Sequence, residues 1–227
     1  MPDRPETPPR TTLRAFVAAN LDPSLKGALA EVQERLKATR ADVGWVRPEN
    51  LHLTLKFLGQ VDETRLVAVA EAVAAAALGY GSFRLAFGGL GAFPSLRAAR
   101  VVWIGVPEGA EALAALQARV EARLIPLGFP REERSFTAHL TLGRVRGPGH
   151  REQLAVALAS MPPKPLGEMV LHRIELMKSD LGPGGARYSV LQSFPLGRSP
   201  MAAGPAGPDR RASRCPLLST GPVVPAT

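Results

Sequence analysis

The amino-acid sequence predicts an α+β protein made of antiparallel sheets in two similar lobes, and three observations predict it. The tetrapeptide His-Leu-Thr-Leu occurs twice, at 52–55 and 139–142, each time opening an apolar stretch that alternates like a strand. Strand patterns joined by turns, with helical patterns between strand pairs, argue against a doubly wound parallel sheet. With 227 residues, 45% of them hydrophobic and 21% charged, the chain can bury a sizeable core.

Residues 1–11 are rich in proline and charge and are expected to be disordered. Leu13–Ala19 reads as a first strand. Asp22-Pro23 is a helix start, a capping residue followed by proline at the first helical position. The helix runs to about Ala38, with Leu25, Leu29, Val32 and Leu36 on one face. The segment 44–48 leads into a strand over 51–58 that carries His52, and Asp62 is expected to cap a second helix ending near Leu78. Strands near 82–90 and 100–106 follow, then a helix over 108–124 and a strand over 138–145 that carries His139. Gly147-Pro148-Gly149 precedes a short helix at 151–160. Strands at 168–178 and 187–194, joined by the turn Gly182-Pro183-Gly184-Gly185, close a body spanning 12–198. Residues 199–227 are rich in proline, glycine, alanine and serine without periodicity and read as a flexible tail.

No apolar run approaches the ~18–20 residues needed to cross a bilayer. The start lacks the apolar stretch of a secretory signal, so a cytoplasmic protein is expected. The single cysteine, Cys215, lies in the tail, which excludes a disulfide framework and a thiolate metal site. Net charge is +8, of which the segment from Arg198 on, with four Arg and one Asp, carries about +3. A basic excess suits a polyanion such as RNA, although abundant Ala, Arg, Gly and Pro also fit a high-GC genome.

Alternation along a strand puts His52, Thr54 and Lys56 on one face and Leu53, Leu55 and Phe57 on the other. His139 and Thr141 likewise lie opposite Leu140 and Leu142. The leucine faces pack on helices, and the His/Thr faces are free to meet in a cleft. Two imidazoles across a cleft can serve as acid and base, because an ordinary pKa of ~6.5 lets small shifts select either form. The threonine hydroxyls can donate to phosphate oxygens. The plainer reading of a single His-x-Thr is a polar pair at a strand edge; two copies with identical leucine spacing point to an internal duplication instead. A metal site would need a third ligand, and Glu49, Asp62, Glu132 and Glu133 flank the strands without ligand-like spacing. No metal and no cofactor are therefore expected.

With its flanks, the pattern resembles the 2H phosphoesterases, specifically the RNA 2′,3′-cyclic phosphodiesterases also called 2′-5′ RNA ligases. The resemblance rests on Leu13–Ala18, on Trp45–Leu51 running into His52–Gly59, on Phe136–Arg144, and on Ser179–Tyr188. It covers nearly the whole body; the departure is Thr137-Ala138, where the family usually has Arg-Pro. It implies a bilobal fold with a pseudo-twofold axis, two antiparallel sheets flanked by helices and a central cleft. It further implies metal-free opening of a terminal 2′,3′-cyclic phosphate to a 2′-phosphate. His52 would be proton donor, His139 proton acceptor, and Thr54 and Thr141 phosphate ligands. Arg144 would add charge in the transition state, and Phe57 could stack on a base. Strict alternation sets Arg144 opposite His139 and Phe57 opposite His52, so each needs a bulge to reach the cleft.

His172 reads as a core-edge histidine, His150 as a surface residue at a helix start, Trp45 and Trp103 as packing residues, and Cys215 as a thiol without a role. The expected partner is RNA or an oligonucleotide with a cyclic-phosphate end, bound by a monomer with no membrane association. The alternatives are 2′-5′ ligation by the reverse reaction and an RNA-binding module without turnover. Loss of either His or Thr would favour the last, and all four are present.

Overall fold

The computed structural model of the chain describes residues 11–161, 165–183 and 185–197. The expected disordered start falls outside these except for Thr11, and so do the tail and Cys215. The elements run β1 (Thr12–Asn20), α1 (Pro23–Lys37), β2 (Val43–Trp45), β3 (His52–Asp62), α2 (Leu66–Ala77), β4 (Phe83–Phe93), β5 (Val101–Glu108), α3 (Ala110–Leu124), β6 (His139–Val145), α4 (Arg151–Ser160), β7 (Pro165–Leu171), β8 (Arg173–Gly182) and β9 (Gly185–Pro195).

All strand pairs are antiparallel, in the order β7-β4-β5-β6-β3-β1-β8-β9, with β2 added alongside β6. The two expected sheets are thus two leaves of one sheet: β4–β7 with β2, and β3, β1, β8 and β9. A single residue pair, Leu53 opposite Leu140, joins β3 to β6. Apolar alternation decides which face of each leaf is covered. Leu53, Leu55, Val102, Ile104, Leu140 and Leu142 are buried in one core with the helix residues Leu29, Leu36, Val73, Leu113, Leu116 and Val120.

Several expectations change. The predicted strand over 168–178 is two strands, broken at His172, because β7 pairs with β4 in one leaf and β8 with β1 and β9 in the other. His172 sits at that crossing and is exposed, not at a core edge. Asp62 caps a single 3-10 turn, Glu63–Arg65, by accepting from the Thr64 backbone N–H at 3.0 Å, and α2 starts after it. The connection before the first motif contains β2, three residues that form a strand only by pairing with β6. His150 is exposed at the start of α4, as expected.

Lys56 points away from His52 and Thr54. Its ammonium is buried at 2.8 Å from Glu121 Oε1 of α3, 2.6 Å from the Pro130 carbonyl and 3.3 Å from Glu132. Burial alone would raise the Glu121 pKa, but hydrogen bonds from Lys56 and from the Glu132 backbone N–H, with the Lys56 and Arg131 charges, hold it below the ordinary value. The cluster ties β3, α3 and the 130–132 loop together. Removing one partner of a buried pair leaves the other charge uncompensated, at a cost of about 3–5 kcal/mol. Lys56→Met is expected to lose that much in urea denaturation, and Lys56→Met/Glu121→Leu to recover most of it. A single variant within about 1 kcal/mol of wild type would contradict this role for the pair.

Candidate active site

The two motifs meet around the Leu53–Leu140 pair. Extending that antiparallel register by one residue either way sets His52 against Thr141 and Thr54 against His139, all four on the face opposite the leucines. Side chains directly opposite on neighbouring strands have Cβ atoms ~5 Å apart, so the repeat becomes one site at the rung where the strands touch.

Each motif strand carries the same irregularity. Against β1, Lys56 pairs with Val17 and Thr54 with Ala18, so Leu55 is an extra residue. Against β5, Gly143 pairs with Val102 and Thr141 with Trp103, so Leu142 is extra. In both cases the third residue after the histidine is a β-bulge, and beyond it the alternation reverses. The fourth residue, Lys56 or Gly143, turns to the helix side, and the fifth, Phe57 or Arg144, turns to the cleft face. Phe57 and Arg144 are both exposed, and the bulge each required is present. At the fourth position a Cβ on Gly143 would lie 2.6 Å from Val43 Cγ1 and 3.0 Å from Trp45 Cε3, which is why that position is bare in the second motif.

The second bulge has a dedicated support. The Leu142 carbonyl accepts from the Val46 backbone N–H and from Nε2 of the buried Gln33, each at 2.8 Å. Gln33 also reaches the Val46 carbonyl at 2.8 Å. The sequence reading missed Gln33 and Glu121. Their signal was a polar residue inside the apolar stripe of a helix, where it needs a partner.

Both imidazoles are anchored alike. His52 Nδ1 lies 2.7 Å from the Asn50 carbonyl, and His139 Nδ1 lies 2.8 Å from the Thr137 carbonyl. A ring nitrogen facing a carbonyl must carry the proton, so Nε2 is left as the reactive nitrogen of each neutral ring. Because the Thr137 contact is made by backbone, the unusual Thr137-Ala138 side chains do not affect it. His52 Nε2 lies 3.0 Å from Thr54 Oγ1.

The surroundings of the two rings differ. Phe16, Ala18, Met177 and Tyr188 form a small apolar cluster on the cleft face. His52 packs into it, 4.9 Å from Phe16 and 5.2 Å, edge-on, from Tyr188. Burial there lowers the His52 pKa, against the raising effect of the Asn50 hydrogen bond and with the help of the Lys26 charge. Among the described residues His139 has one aromatic ring against it, Phe93, edge-on at 5.0 Å. Beside His139 opens a cavity of about 900 Å³. Thr54, Phe57, Phe93, Phe136, Arg100 and Arg134 are among its lining residues, whereas His52, Thr141 and Arg144 lie outside it. Trp45 packs against the main core as expected, but Trp103, opposite Thr141, stands on the cleft face. Of the residues considered as third metal ligands, Glu132 is bound to Lys56 and Asp62 caps its turn. Among the described residues no group of three or more His, Cys, Asp or Glu is gathered to hold a metal.

The family of LigT-like phosphoesterases matches the chain twice in tandem, over residues 20–103 and 104–188, one copy for each motif. The chain belongs to this family. An "RNA 2′,3′-cyclic phosphodiesterase" of Methanothermobacter thermautotrophicus is 39% identical over 184 residues, 81% of this chain and 99% of that one. A protein of the same description from Archaeoglobus fulgidus is 37% identical over 80% of this chain and 99% of its own length. The crystal structure of TT0787 of Thermus thermophilus superposes with a TM-score of 0.70, at 29% identity, over 83% of this chain and all of that one. The matches establish the 2H phosphoesterase fold expected from the two motifs.

A pH titration of the His52 ring by NMR is expected to show a midpoint below the ordinary ~6.5, because burial disfavours the imidazolium. A midpoint above ~6.5 would mean that an anionic partner outweighs burial at this ring.

Proposed function

We propose that this protein hydrolyses the terminal 2′,3′-cyclic phosphate of RNA to a 2′-phosphate by two-histidine acid–base catalysis, without a metal. The observation that carries the reading is the Leu53–Leu140 register, which sets two backbone-anchored imidazoles on one face in a chain whose relatives bear that name.

In the proposed reaction a water oxygen attacks phosphorus and gives its proton to His139 Nε2. His52 enters the step as the imidazolium, with Nδ1–H kept on the Asn50 carbonyl, and the P–O3′ bond breaks as its Nε2 delivers a proton to O3′, leaving a 2′-phosphate and a free 3′-hydroxyl. Thr54 and Thr141 donate to the phosphate oxygens from the positions between the histidines. Arg144, turned to the cleft face by the second bulge, supplies positive charge where negative charge builds up. Phe57, turned by the first bulge, offers its ring to the terminal base at the mouth of the cavity. Burial makes the His52 imidazolium a stronger acid than an ordinary one, so it gives up its proton readily once it holds one.

The motifs themselves are near-identical, so the choice of leaving oxygen falls to what differs around them: Phe57 against Arg144, and the Phe16–Tyr188 cluster against Phe93. Both halves of the site come from one chain, which supports action as a monomer. Among the described residues no helix is long and apolar enough to cross a membrane, in keeping with a cytoplasmic place of work.

The test is incubation with an oligoribonucleotide ending in a 2′,3′-cyclic phosphate in the presence of EDTA, with the product identified by phosphorus NMR. A 2′-phosphate formed at an undiminished rate is expected. Loss of activity in EDTA with recovery on adding Zn²⁺ or Mn²⁺ would overturn the metal-free reading, and a 3′-phosphate product would reverse the acid and base.

A further inference from the structure

Trp103 is placed where the packing of the core does not require it. On β5, Val102, Ile104 and Val106 are buried against the helices, while Val101, Trp103 and Gly105 lie half-buried on the opposite, cleft-facing side. Trp103 is the residue opposite Thr141 across the β5–β6 ladder, one step along that face from His139. Its indole lies against the sheet over a space that glycine keeps open. A Cβ on Gly91 would come within 2.2, 2.4 and 2.7 Å of three indole ring atoms, and one on Gly105 within 3.4 Å of a fourth. The indole therefore packs over β4 at Gly91, and as a half-buried residue opposite Thr141 it stays partly accessible on the cleft-facing side of the sheet. Phe93 borders the indole at a ring distance of 5.2 Å and borders His139 at 5.0 Å, so the platform is continuous with the candidate site.

Hydrogen bonding does not explain the choice of tryptophan. The Nε1–H is buried and meets no acceptor among the described residues, although a buried indole N–H usually finds one. Phenylalanine would fill much of the same space without an unpaired donor. What tryptophan adds is a broad flat π surface. Every nucleobase has a π face, and stacking on such a surface is the sequence-tolerant way to hold single-stranded nucleic acid. RNA that ends in a cyclic phosphate extends from the site only in the 5′ direction, so the next base in line belongs to the preceding nucleotide.

We propose that Trp103 is a substrate-binding residue that stacks the base of the nucleotide preceding the cyclic-phosphate end, giving the site a preference for oligonucleotides over mononucleotides. This rests on the RNA-end reading above. Trp103→Phe is expected to lower the ratio of kcat/KM for a tetraribonucleotide 2′,3′-cyclic phosphate to that for a cyclic mononucleotide about five- to tenfold, chiefly through KM. The thermal midpoint should not fall correspondingly, since the variant also removes the unpaired donor.

The chain has only two tryptophans, so Trp45→Phe leaves Trp103 as the sole indole fluorophore. In that background a tetraribonucleotide with a terminal 2′-phosphate should quench the emission where a 2′-mononucleotide does not. Equal loss on both substrates in Trp103→Phe, or no quenching by the tetranucleotide, would overturn the proposal. If the wild-type protein opens neither cyclic substrate, the functional reading fails, and the quenching experiment still decides whether RNA stacks on Trp103.

Discussion

The site depends on a single rung of backbone pairing, Leu53 against Leu140, where the two leaves of the sheet touch. Leucine on both sides of the rung, fully buried, turns the flanking His and Thr residues to the uncovered face together. A slip of one residue in either strand would send that motif's histidine and threonine into the core and its two leucines into the cleft. Register is strongly specified where one face is buried, so the apolar core beneath the rung also fixes the geometry above it.

The second constraint is the repeated bulge. A strand that alternates strictly offers its third and fifth positions to the leucine side, which would bury the residue five after each histidine. The extra residue at Leu55 and at Leu142 reverses this and delivers Phe57 and Arg144 to the cleft. Each bulge is secured differently. The strand just past the first is tied down by Lys56 to Glu121 and to the 130–132 loop, and the second is held by Gln33 and Val46 on the Leu142 carbonyl. The duplicated motif thus keeps its backbone geometry while its supports and its neighbours have diverged. That divergence gives two chemically similar rings unequal environments, one packed in an aromatic cluster and one beside a large cavity.

Much of this is legible in the sequence. The repeated His-x-Thr, the alternation around it and the apolar stripes of the helices announce the strands, the helices and the cleft face. What stays hidden needs a partner strand or a partner residue to become visible. A bulge cannot be read from one strand, since the extra residue exists only relative to its neighbour, and the misplacement of Lys56 follows directly from that. The break at His172 lies in a run that is continuous in composition and is cut only because its two ends pair in different leaves. Trp103 reads as packing because an aromatic in a strand usually packs; its orientation depends on the register with Thr141 and on glycines at 91 and 105 that lie apart from it in sequence or act only through space.

Central to the proposed mechanism is that the two histidines, brought to one face by the Leu53–Leu140 rung, work as a single acid–base unit. The most direct test is to compare kcat/KM on a cyclic mononucleotide for His52→Ala, His139→Ala and the double variant. Each single variant should lose about 10²–10⁴-fold, and the double variant should be no more than a few-fold worse than the poorer single one, because residues that act as a unit are strongly non-additive. Losses that multiply in the double variant would contradict the claim and show two sites that contribute independently.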